Sequence, residues 1–227
     1  MALTKKKTYR VVKSNLNAQV YDILKEMIAD RRFIPGSSLN VEKLTQELGV
    51  SRTTIWEAVR RLEQEGIVAH TPHKGVRVVE LTRRMALELY EVRETMEGLA
   101  ARLGAERANP RILSRMEKIL AVQHSIIENE DAVAYSRSDH DFHLLIYEAC
   151  DNELLKDLLE GLRYRALPLA FKLSPHFAEF YNYHQQILAA FQNQDGTAAE
   201  KAIRQHNRRM LELVRTTPWG VVNNSEG

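Results

Sequence analysis

The sequence predicts a mainly α-helical protein in two parts. Three helices and a small β-hairpin occupy residues 1–80, and an all-α antiparallel bundle of about six helices occupies 81–227. Three observations predict this. Apolar residues recur at helical spacing almost throughout. One short stretch, 67–79, switches to β-branched runs around a turn. Beyond it, Thr, Asp and Asn residues punctuate the pattern as helix caps.

At 227 residues the chain suits two domains better than one. Its 44% hydrophobic and 27% charged content is that of an ordinary globular protein. No apolar run is long enough to cross a bilayer, and the basic start lacks the apolar core of a signal peptide. The lone cysteine, Cys150, excludes an internal disulfide, so a cytoplasmic protein without a membrane partner is expected. The net charge of +2 hides an asymmetry. Residues 1–80 hold 14 Lys/Arg against 9 Asp/Glu, or +5, and the remainder holds 18 against 21, or −3. A basic amino-terminal third is an electrostatic footprint for polyanions.

Val20, Ile23, Leu24, Met27 and Ile28 place a first helix over 17–30, ended by the Pro35-Gly36 turn. Val41, Leu44 and Leu48 mark a short second helix, stopped by Gly49. Ser51 caps a third, whose core stripe is Ile55, Ala58, Val59 and Leu62. Ile67-Val68 and Val76-Arg77-Val78-Val79 read as strands joined by a loop over 71–75. This order is that of a winged helix-turn-helix. Thr82, Asn109-Pro110, Asp131, Asp151-Asn152, Pro175 and Asp195-Gly196 then open or separate the bundle helices. Residues 1–10 read as a mobile basic arm and 217–227 as a frayed tail.

With its core stripe on one side, the third helix turns Thr53, Trp56 and Arg60 outward, with Arg52 at the margin. That face suits the major groove, where arginine pairs with guanine edges and a threonine methyl touches thymine. His73, Lys74 and Gly75 fall at the tip of the wing. In isolation Arg52 and Arg60 would read as solvated charges, but the surrounding helix-turn-helix and hairpin favour the DNA-reading role.

Residues 17–80 resemble the DNA-binding domain of the GntR superfamily. The resemblance rests on Pro35-Gly36-Ser37-Ser38-Leu39, Leu48-Gly49-Val50-Ser51-Arg52-Thr53, Glu57-Ala58-Val59-Arg60-Arg61-Leu62-Glu63, Glu65-Gly66-Ile67-Val68 and Pro72-His73-Lys74-Gly75-Val76. It implies operator DNA as a partner, with Arg52 on bases or backbone and Gly75 letting the wing approach the minor groove. One position departs from the pattern: the family has arginine where this chain has Trp56. Two roles stay open for that indole, contact with a sugar or thymine methyl, and packing against the wing or first helix.

In the second part, Asp139 and His143 are four apart and share a helix face. His184 and His206 fall on the last two helices, so three helices can aim one carboxylate and three imidazoles into the bundle. Spacing alone does not make this a metal site, because isolated histidines are mostly satisfied core or surface groups. His140 and Asp141 are expected on the solvent side.

Residues 82–215 resemble the all-helical FCD effector domain of the FadR-like branch of the same superfamily. The marks are Tyr90-Glu91-Val92-Arg93-Glu94-Thr95-Met96-Glu97, Asp139-His140-Asp141-Phe142-His143, Ala149-Cys150-Asp151-Asn152, His184 with Ile187-Leu188-Ala189-Ala190, and Asp195 with Ala198-Ala199 before His206. Metal-binding members use one Asp and three His, and Asp139, His143, His184 and His206 match those positions. The resemblance thus implies a divalent metal, zinc or nickel. It also implies a small carboxylate effector such as a hydroxy acid or sugar acid, a homodimer, and a transcription regulator of the repressor kind rather than an enzyme. Arg93 is expected to hold the effector's carboxylate, the alternative being an intrahelical pair with Glu97. Arg163 and Arg165 are further candidates. Two competing readings are a metalloenzyme that activates water, for which no general base stands out, and a metal that only staples the bundle.

Overall fold

A computed structural model describes residues 16–170 and 176–218. The basic arm, Pro175 and most of the tail lie outside them. The first domain comprises α1 (Leu16–Ala29), β1 (Ser38–Leu39), α2 (Val41–Leu48), α3 (Arg52–Gln64), β2 (Val68–Thr71) and β3 (Gly75–Val78). Asn40 caps α2 by accepting from the Lys43 amide at 2.9 Å. Gly49, at φ 63°, ends it in the left-handed region that side chains avoid. Ser51 then caps α3, accepting from the Thr54 amide at 3.2 Å. Leu24, Leu44, Ile55, Val59, Leu62 and Val76 close one core beneath the sheet.

Two details differ from expectation. Ile23 faces solvent, and Tyr21 takes its place in the core, donating its hydroxyl to Glu65 at 2.6 Å. A tyrosine there satisfies both the apolar pocket and a carboxylate at its rim. The wing is also a three-stranded sheet, ordered β1-β3-β2 and antiparallel throughout, with Leu39 opposite Val76. Two residues are too few to leave a period-two signal in the sequence.

The second domain is a bundle of α4 (Arg83–Arg107), α5 (Pro110–Glu128), α6 (Ala132–Ala149), α7 (Glu153–Ala170), α8 (Phe177–Gln192) and α9 (Gly196–Thr216). Thr82, Asn109, Asp131 and Asp195 cap α4, α5, α6 and α9 through their side chains. The long α4 runs through the middle. Ala100, Ala101 and Ala105 bury completely along it, and a Cβ on Gly104 would meet Phe191 at 2.9 Å. These small residues let α8 and α9 approach closely. Cys150 is buried at the end of α6, as a small core residue. No described helix is long and apolar enough to cross a membrane.

Candidate functional site

Three bundle helices converge on one cluster. α6 supplies Asp139 and His143 one turn apart, α8 supplies His184, and α9 supplies His206. One ligand atom from each lies within 4.8 Å of the others. The three imidazoles are buried, and Asp139 is nearly so. His184 Nε2 sits 3.3 Å and His143 Nε2 3.9 Å from Asp139 Oδ1. His184 Nδ1 lies 3.0 Å from Gln123 Oε1, so it donates there and leaves the Nε2 lone pair facing the cluster. Both nitrogens of His143 and of His206, and Nε2 of His184, are buried without a hydrogen-bond partner. Each neutral imidazole carries one lone-pair nitrogen, and burying three of these at one place without partners is costly unless something accepts the lone pairs. A three-nitrogen, one-oxygen donor set could hold a divalent transition metal.

The electrostatics keep the cluster in its ligating form. Burial pushes His143 down to about 4 and His206 well below the usual histidine range, so both are neutral at pH 7. Burial alone would raise Asp139, but Arg163, His184 and His143 hold it well below the usual carboxylate range. Its Oδ2 accepts a short hydrogen bond from Arg163 Nη2.

Arg93 is placed otherwise than as an effector clamp. It is fully buried on α4 and ion-paired to Glu97 at 2.8 Å, the alternative read from the sequence. Glu97 also accepts from Tyr147 Oη and, at 2.6 Å, from Asn207 Nδ2, and its Oε1 lies 3.4 Å from His143 Nδ1. The residue that shares a cleft with Asp139 and His206 is Arg163 of α7. Glu97 escaped the sequence reading as a participant in its own right, although its i,i+4 spacing to Arg93 was a usable signal. His140 is a correction: it is partly buried, with its ring edge-on to Tyr164 at 4.9 Å, whereas Asp141 is exposed as expected.

In the first domain, Arg52, Thr53 and Arg60 are exposed on one side of α3. Arg52 makes a loose 3.8 Å pair with Glu42 that solvent screens. Trp56 is partly buried, in T-shaped contact with His70 of β2 at 5.2 Å, which agrees with the wing-packing role. His73 at φ 65° and Gly75 at φ 76° turn the chain between β2 and β3, with Lys74 exposed between them.

The two domains meet where α7 crosses α1 and the end of α3. Arg163, Tyr164 and Arg165 are consecutive. The first reaches Asp139, and the second packs on the amino-terminal core with Lys25 Nζ 3.4 Å above its ring. The third donates through Nε to the carbonyl of Glu65, the residue that caps α3. Arg137 of α6 adds an ion pair to Asp30.

A winged helix joined to a helical domain with a buried, ligand-ready cluster defines a sensor-regulator that binds DNA. The chain belongs to the GntR family of bacterial regulatory proteins, with an FCD domain: the family model matches residues 16–78 and the FCD model residues 88–209. It is a ligand-responsive DNA-binding transcription regulator, not an enzyme. Its relatives include the HTH-type transcriptional regulator YdhC of Bacillus subtilis, 31% identical over 198 residues, 87% of this chain and 80% of that one. The HTH-type transcriptional repressor RspR of Escherichia coli is 26% identical over 203 residues, 88% of this chain and 89% of that one. Among solved structures, E. coli McbR/YncC shares the fold at a TM-score of 0.80, with 22% identity, covering 89% of this chain and 98% of that chain.

Proposed function

We propose that the chain is a cytoplasmic repressor with a winged domain over 1–80 and a sensor domain over 81–227. Asp139, His143, His184 and His206 would hold a divalent metal, zinc or nickel, and a small carboxylate would be sensed beside it. Arg52, Thr53 and Arg60 would read the major groove, with His73, Lys74 and Gly75 of the wing on the adjacent backbone or minor groove, while Trp56 braces the wing. An ion that accepts more than four ligands would leave positions open to the acid. Arg163, rather than the sealed Arg93, is the partner for its carboxylate.

The observation that carries this reading is the run Arg163-Tyr164-Arg165. An incoming carboxylate competes with Asp139 for Arg163, and the same turn of α7 grips the end of α3. Acid binding and recognition-helix placement therefore bias one element. The metal-loaded protein should bind an effective acid with an affinity that changes about fivefold or more when operator is present. Arg165→Ala should shrink that coupling and leave metal content and acid affinity near normal. Equal acid affinity with and without operator would remove the regulatory mechanism.

The helical domain also supplies a surface for a second copy. Met85, Val92 and Leu99 recur every seven residues on the outer face of α4 and are 40–48% exposed. Glu88, Thr95 and Arg102 fill the alternate seam positions, also exposed. A two-fold axis at Thr95 sets Glu88 against the partner's Arg102, so the stripe is self-complementary in an antiparallel pair. Val92→Glu with Leu99→Glu should turn a dimer into a monomer by light scattering while leaving the helical content unchanged by circular dichroism, since both side chains are exposed in the single chain. Glu88→Arg should weaken the dimer, and Glu88→Arg with Arg102→Glu should restore it. A dimer indifferent to all of these uses another face.

A further inference from the structure

Helix α5 supplies no ligand to the cluster, yet it carries a buried polar side chain beside it. Its inward face reads Ile112, Met116, Leu120 and Gln123, an apolar stripe at helical spacing that ends in an amide. Gln123 is completely buried. Its Oε1 lies 3.0 Å from His184 Nδ1, while its Nε2 has no partner. A half-satisfied amide in an apolar stripe is unfavourable. Packing gives no reason for it, because methionine fills about the same volume without the orphaned N–H groups.

The reason lies in what the amide does for the imidazole. The His184 ring stacks on Phe142, with centroids 4.5 Å apart and planes 30° from parallel, and on His206 at 5.2 Å and 24°. Stacking sets the plane of a ring. It does not distinguish the ring from the same ring flipped about its Cβ–Cγ bond, nor one tautomer from the other. The Gln123 oxygen settles both, because it only accepts. The proton is held on Nδ1 and the lone pair on Nε2, which sits 3.3 Å from Asp139 Oδ1. Among the described residues, neither His143 nor His206 has a hydrogen-bonded ring nitrogen.

We propose that Gln123 is a positioning residue for the metal, keeping His184 in its ligating tautomer and ring orientation, an inference that rests on the metal reading above. The role needs an acceptor oxygen at this place rather than an amide as such. Gln123→Glu keeps that oxygen, and Gln123→Met keeps only the volume.

The test is the Zn²⁺ affinity of the full-length protein, measured by competition with a chromophoric chelator, beside the melting of the chelated protein. Gln123→Met should bind Zn²⁺ roughly 10–100-fold more weakly, the usual effect of removing the outer partner of a ligating histidine. Its chelated form should melt close to wild type, because one hydrogen bond is lost and one orphaned amide goes with it. Gln123→Glu should bind Zn²⁺ within a few fold of wild type. The visible absorption of the Co²⁺-loaded protein should change in Gln123→Met and persist in Gln123→Glu. Wild-type Zn²⁺ affinity in Gln123→Met would overturn the inference and leave the metal site standing. Binding by Gln123→Glu as weak as by Gln123→Met would overturn it too, since the oxygen would then count for nothing. Absence of Zn²⁺ binding by the wild type would overturn the metal reading and this inference with it.

Discussion

Glu97→Ala is expected to destabilise the protein by about 3–5 kcal/mol, the range found when one partner of a buried ion pair is removed. Nothing of Glu97 or Arg93 is exposed. Burial alone would raise the Glu97 carboxyl, but Arg93 and His143 beside it hold it well below the usual carboxylate range. Deleting it strands the Arg93 guanidinium, whose Nη1 already has no partner, and leaves Tyr147 Oη and Asn207 Nδ2 without their acceptor. The loss should appear as a fall of roughly 10 °C in the melting of the helical domain. Replacing Arg93 and Glu97 together by leucine should recover much of it, because a hydrophobic pair of similar volume avoids the desolvation cost. A melting temperature within about 2 °C of wild type after Glu97→Ala would show the network to be dispensable. Arg93→Ala separates the two roles of that arginine. A large stability loss fits the ion pair, while unchanged stability with lost acid binding would return it to the effector.

His206→Ala or His184→Ala should abolish stoichiometric metal, measured by elemental analysis of freshly purified protein. Chelation of the wild type should lower its melting temperature, since a ligand bound only by the folded state stabilises it by about 2.7 kcal/mol at a hundred times its dissociation constant. The chelated protein should also be acid-sensitive. Burial depresses His143 to about 4, so its unfolded form takes up a proton near its ordinary 6.5 while the folded form resists. Stability is then complete above about pH 6.5 and is lost as pH falls toward 4, by a few kcal/mol. Metal content unaltered by either substitution, with melting indifferent to chelator, would refute the cluster as a metal site.

The helix boundaries were legible because capping is local. Thr82, Asn109, Asp131 and Asp195 each bond an amide two or three residues on, and those residue types announce it. Ser51 and Gly49 were legible for the same reason. Asp139 and His143 could be placed on one face by periodicity, but their meeting with His184 and His206 depends on how three helices pack, which spacing does not encode. The family resemblance supplied that link. Arg93 and Arg163 show the limit most clearly. Both are arginines on helices, and only the bundle decides that one is sealed against Glu97 while the other lines the cleft. Trp56 and Tyr164 were likewise undecidable, because each packs on something distant in sequence, the wing and the amino-terminal core.

Tyr164 belongs by sequence to the sensor and by packing to the reading head. A Cβ on Gly66 would also approach the Arg165 guanidinium to 3.1 Å, so the backbone after α3 is shaped around a side chain a hundred residues away. Anyone building biosensors by swapping heads and sensors between relatives would cut near residue 80. That cut moves the plug without its socket. A functional chimera has to carry Tyr164, Arg165 and their contacts on α1 and α3 as one transplanted unit, with the natural border running through space rather than along the chain.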